Sequence, residues 1–118
     1  MSKRNHTIDF VEFPVAAVPQ IASVRQFYGS VFGWQFKEWG EDYIDTADSQ
    51  LGCGFNADGA HRATQPLVVI YSTDLEAARR GTVAAGGTIS REIFSFPGGR
   101  RCHFIDPAGN ELAVWSDR

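Results

Sequence analysis

Cysteine is scarce: two in 118 residues, Cys53 and Cys102, far apart and in no C-x-x-C arrangement. That spacing argues against a disulfide framework or a cysteine-built zinc cluster and reads as two small packed thiols. A basic excess is missing too. Eleven Lys and Arg stand against fourteen Asp and Glu, a formal net charge of -3, whereas a nucleic-acid binder carries a positive field. Long apolar runs are also missing. The longest is about five residues, against the roughly 20 that a membrane helix needs. The stretch from Met1 to His6 is polar and has no apolar signal region. These absences predict a cytoplasmic protein with no nucleic-acid and no membrane partner.

Aromatic residues are plentiful. Nine Phe, three Trp and three Tyr help bring the apolar share to 43%, enough to exclude wholesale disorder. A chain of this length removes roughly two-thirds of its surface from water on folding. No metal or disulfide is needed to stabilise it.

The order of elements repeats. Ile8 to Val15 (IDFVEFPV) reads as a strand. Pro19 suits a first helical position, the apolar stripe Ile21, Val24, Tyr28, Val31 follows at helical spacing, and Gly33 is the stop. Trp34–Trp39, Tyr43–Ala47 and Gln50–Phe55 are three short strand-like runs. The polar, aperiodic stretch Asn56–Pro66 is a linker. A second strand, Leu67–Tyr71, then restarts the sequence of elements. Thr73-Asp74-Leu75-Glu76 fits a capping box with the Thr73 hydroxyl as cap. The helix it opens runs to Ala85 and stops at Gly86-Gly87. Thr88–Phe96, Arg101–Ile105 and Glu111–Trp115 are the closing strands. Residues 1–118 therefore read as a single α+β domain. Its two βαβββ modules cover about 7–56 and 67–116 and are joined by the linker at about 57–66. They are expected to form one curved, mostly antiparallel sheet, with helices on the convex face and a cleft on the concave one.

Val11-Glu12-Phe13-Pro14-Val15, the segment from Phe27 to Trp34 (FYGSVFGW), Thr73-Asp74-Leu75-Glu76-Ala77, Ala85-Gly86-Gly87 and Asp106-Pro107-Ala108-Gly109-Asn110 resemble the vicinal oxygen chelate superfamily. That superfamily contains glyoxalase I (lactoylglutathione lyase), bleomycin resistance proteins and extradiol dioxygenases. The resemblance runs from about Ile8 to Trp115 and implies the paired-module fold. It also implies a divalent metal in the enzyme members, held by His and Glu from the first and last strands of the modules. Here the positions that correspond to those ligands carry Phe10, Leu67 and Ala113. None offers a donor to a metal ion, so no cofactor is expected.

Strand parity extends the reading. If Phe10, Leu67 and Ala113 face the cleft, so do Glu12, Val69, Tyr71, Glu111 and Trp115. Val11, Phe13, Val68, Ile70, Leu112 and Val114, all apolar, then face the helices. The expected ligand-binding set is Phe10, Glu12, Leu67, Tyr71, His103, Glu111, Ala113 and Trp115; catalytic residues are not identified. Glu12 is either the polar contact of a ligand or general base, or an ion pair to Arg100 or Arg101. His103 is either a cleft donor or a partly exposed strand histidine. His6 and His61 read as solvated.

The leading function is binding of a small, partly apolar molecule in the cleft, as bleomycin resistance proteins do, without a family-type metal. The alternative is a metal-dependent lyase, isomerase or dioxygenase relative with a relocated site at Glu12, His103 and Glu111. Were the chain an enzyme, a lyase or dioxygenase related to lactoylglutathione lyase is what the resemblance implies. A third reading is a non-catalytic interaction module. Exposed sheet edges predict a homodimer.

Overall fold

Hydrophobic patterning places helices over periodic stripes and strands over alternating ones, and the computed structural model, which describes residues 3–118, follows that plan. The elements are β1 (Thr7–Pro14), α1 (Gln20–Phe32), β2 (Lys37–Glu38), β3 (Tyr43–Thr46), β4 (Gly52–Asn56), β5 (Leu67–Tyr71), α2 (Leu75–Ala84), β6 (Thr88–Phe96), β7 (Gly99–Ile105) and β8 (Glu111–Ser116). Among the described residues the fold is α+β: two helices and a mixed sheet of eight strands. The chain divides into two compact units, residues 10–67 and residues 68–118 with the N-terminal stretch up to Asp9.

In the unit of residues 10–67 the strands run β2-β3-β4-β1. β1 and β4 are parallel, with Phe10 opposite Gly52 and Glu12 opposite Gly54; β2–β3 and β3–β4 are antiparallel. Helix α1 starts after Pro19 and stops at Gly33, whose φ of 74° is the left-handed conformation that suits glycine. Ile21 is buried in a core of Val15, Ile44, Cys53, Phe55 and Ala57, and Phe13, Val24, Tyr28, Trp34 and Phe36 pack around it. Two expectations are corrected here. Val31 does not continue the buried stripe; it is 56% exposed. Trp34, just past the Gly33 turn, stacks on Tyr28 at 5.2 Å and packs against that core. The run Trp34–Trp39 is a strand only at Lys37–Glu38. The Gln35 N–H donates to the Asp48 carboxylate, and Phe36 turns into the core against Phe55, so neither residue joins a ladder.

In the other unit the order is β5-β8-β7-β6. β5 and β8 are parallel, and β8–β7 and β7–β6 are antiparallel. The cap of α2 is Asp74 rather than Thr73. Asp74 has the extended backbone of a cap residue, and its Oδ1 accepts from the Ala77 N–H at 3.0 Å. Thr73 instead gives its N–H to Asn5, and Glu76 turns outward to Arg100. Leu75, Cys102 and Val114 form the core beneath α2, with Ala78, Ile93 and Phe104 around them. The Asp106–Asn110 turn forms as its composition predicts: Asp106 accepts from the N–H groups of Ala108 and Asn110, and Gly109 is left-handed at φ 88°. Among the described residues no helix is long and apolar enough to cross a membrane.

Candidate functional site

Register decides which side chains share a face. In the unit of residues 68–118, Tyr71 pairs with Trp115, Trp115 with Arg101, and Arg101 with Phe94. One step along, Val69 pairs with Ala113, Ala113 with His103, and His103 with Arg91. Two cross-strand rows therefore lie on the side of the sheet that α2 does not cover. Trp115 contacts Tyr71 at 5.2 Å and Phe96 at 6.1 Å between ring centroids. The Arg101 guanidinium lies 5.3 Å from the Phe94 ring and 5.8 Å from that of Phe96. His103 is 1% exposed and Tyr71 2%, so His103 is not the partly exposed strand histidine of one sequence reading.

Polar contacts hold this face in place. The Trp115 indole N–H donates to Asp9 at 3.0 Å, and the Tyr71 hydroxyl donates to Asp117 at 2.7 Å. Burial raises the Asp9 carboxyl above its ordinary range, against the lowering effect of the indole. Asp117 is lowered, chiefly by the Tyr71 phenol that donates to it. His103 Nδ1 lies 3.5 Å from Glu111 Oε2, and that same carboxylate oxygen accepts from the Ser90 hydroxyl at 2.8 Å.

The unit of residues 10–67 holds a second polar cluster. Glu12 is 2% exposed and accepts from the Tyr43 hydroxyl at 2.8 Å and from Asn56 Nδ2 at 3.3 Å. Gly54 makes room for it. A Cβ there would run into the Tyr43 phenol, and would stand 2.8 Å from Phe10. Arg100, one of the two arginines the sequence offered to Glu12, gives its guanidinium to Glu76 and to the Arg118 carbonyl. Trp34, Phe36 and Phe55 belong to the core under α1.

The donor set argues against a family-type metal centre. Phe10, Leu67 and Ala113 carry no oxygen, nitrogen or sulfur in their side chains. Of the relocated triad, His103 and Glu111 come together; Glu12 accepts from Tyr43 and Asn56. Among the described residues, no three His, Cys, Asp or Glu side chains are grouped to hold an ion. Both thiols are buried, and that burial pushes each up to about 11, which makes them poor nucleophiles at neutral pH. Sequence reasoning missed Asp9, Asn56, Ser90 and Phe94. Phe94 and Arg101 lie on strands whose phase was not extended from the first and last strands. Asn56 and Tyr43 meet Glu12 through the β1–β4 and β3–β4 registers, which no local pattern encodes.

A family model described as the Glyoxalase/Bleomycin resistance protein/Dioxygenase superfamily matches residues 5–114. No curated protein matches the chain. Among solved structures it is similar to one described as an NAD-dependent benzaldehyde dehydrogenase from Legionella pneumophila, at 16% identity and a TM-score of 0.73 over 91% of this chain and 96% of that one. It is similar to the Mn(II)-bound glyoxalase from Novosphingobium aromaticivorans at 21% identity and a TM-score of 0.67, covering 98% of this chain and 40% of that one. Methylmalonyl-CoA epimerase from Mycobacterium tuberculosis matches at 13% identity and a TM-score of 0.67, over 98% and 92% of the two chains. Likeness at such identities concerns the fold. The family model, covering nearly the whole chain, settles membership: this protein belongs to the glyoxalase/bleomycin resistance protein/dioxygenase superfamily.

Proposed function

We propose that this chain binds a small, partly apolar organic molecule and does so without the metal that enzyme members of its superfamily hold. The observation that carries the reading is the face formed by Tyr71, Trp115, Phe94 and Phe96, into which Arg101 and His103 are set. Aromatic rings supply contact area for a flat or apolar body, and a few fixed polar groups orient it. The donor-less residues Phe10, Leu67 and Ala113 support a metal-free mode. Tyr71, His103, Glu111, Ala113 and Trp115 are the proposed contacts of the ligand.

Native mass spectrometry of protein purified from its own host tests this. One organic adduct per chain, absent from Trp115→Ala, is the expected result. The same spectrum counts subunits, for which we propose two. Protein carrying a stoichiometric metal ion overturns the metal-free reading. A second reading, the non-catalytic interaction module, is favoured by the near-complete burial of Tyr71, His103 and Ala113, since a face that is already covered has less room for a ligand. It predicts bare protein in that spectrum, and a spectrum of that kind sinks the ligand-binding reading.

A further inference from the structure

We propose that Glu111, braced by Ser90, is a positioning residue that fixes the His103 ring with its proton on Nδ1. The inference rests on the ligand-binding reading for its purpose only. Its chemistry is testable with no ligand present.

Three neighbouring strands supply the parts. His103 is on β7, opposite Ala113 of β8. Glu111 precedes Ala113 by two residues, so it projects from the same face as a diagonal neighbour of His103. Its Oε2 stands 3.5 Å from Nδ1. Ser90 comes from β6, and here the backbone is specialised. Ile89 opposes Phe104 and Arg91 opposes His103, so two steps on β6 match one on β7. A second irregularity follows between Arg91 and Phe94. Such a bulge breaks the strict alternation of a strand and lets adjacent residues serve one face. Ser90 reaches Glu111 Oε2 at 2.8 Å, while Arg91 lies over the Phe94 ring at 5.8 Å. The imidazole is enclosed at 1% exposure, with the Phe94 ring 5.8 Å away on its flank.

A carboxylate accepts and does not donate, so a neutral imidazole beside it keeps its hydrogen on the nearer nitrogen. The Ser90 hydroxyl occupies part of the carboxylate's capacity and restrains its rotation. Nε2 then carries the lone pair.

The test is the histidine tautomer, read from ring-nitrogen shifts in long-range proton–nitrogen correlation spectra of the full chain near pH 8, above the ordinary histidine pKa of about 6.5. The chain has three histidines, and His103→Asn assigns the signal. The expected result is the Nδ1–H form in the wild type. Glu111→Ala should shift the population towards Nε2–H, Glu111→Gln should recover part of the original form through its amide oxygen, and Ser90→Ala should give an intermediate mixture. Signals of His61 should stay put in each variant. A wild-type ring protonated on Nε2 overturns the proposal, as does a tautomer indifferent to both Glu111→Ala and Ser90→Ala. Should Glu111→Ala fail to fold, the wild type and Ser90→Ala decide. Failure to find any ligand leaves the tautomer result standing, so the two readings fail separately.

Discussion

Gly54 shows how a residue with no side chain determines the place of one that is charged. Tyr43 crosses the space where a Cβ would sit and delivers its hydroxyl to Glu12. Gly54→Ala should therefore destabilise the protein by about 1–3 kcal/mol through overpacking, measured by urea unfolding. It should also displace the Tyr43 ring, visible in its NMR shifts. Tyr43→Phe keeps the ring and deletes the donor to a buried carboxylate, at a cost of about 1–3 kcal/mol. In a double-mutant cycle with Glu12→Gln the two costs should not add, because both changes act on one contact. Additive costs would mean that the phenol and the carboxylate act independently. None of this is legible along the chain. Glu12 is conspicuous in the sequence as an acid in an apolar strand, but its partners lie 31 and 44 residues away.

Elements were easier to read than contacts. Leu67–Tyr71 and Thr88–Phe96 form over the very residues their composition indicated, and Gly33 ends α1 where the periodic stripe gives out. Composition works there because the information is local: branched residues for strands and a left-handed glycine for a stop. It failed at Trp34–Phe36, whose aromatic content looked like a strand and is in fact packing against Tyr28 and Phe55. It failed by one residue at the α2 cap, where Thr73 and Asp74 are both good caps and only backbone geometry separates them. That correction has a measurable side. Asp74→Ala should cost about 0.5–2 kcal/mol, while Thr73→Ala should leave stability within about 0.5 kcal/mol. Equal losses from both would restore the capping box that the sequence suggested.

For the molecule as a whole, acid is the informative stress. Asp58, Glu76, Glu92, Asp106 and Asp117 are all lowered; for Glu76, hydrogen bonding by Arg100 sets it at about 2 against an ordinary 4.5. A lowered carboxyl binds fewer protons folded than unfolded, so its contribution is present above about pH 4.5 and is lost as pH falls towards 2. Asp9 works the other way: its raised carboxyl makes ionisation costly to the fold, and that cost disappears in acid. The lowered groups are the more numerous, so Tm should fall on acidification, and Glu76→Gln should flatten the profile. Glu76 and Glu92 are solvent-facing pairs, so added salt should shrink the effect. A profile that rises towards acid would show that Asp9 dominates. The two sulfur atoms offer a further measurement. One lies in each compact unit, Cys53 at 4% exposure and Cys102 at 0%, so alkylation waits on opening of the segment around each. Brief trapping followed by peptide mass analysis would record two separate clocks, and their agreement or divergence tells whether the halves come apart in concert or one after the other.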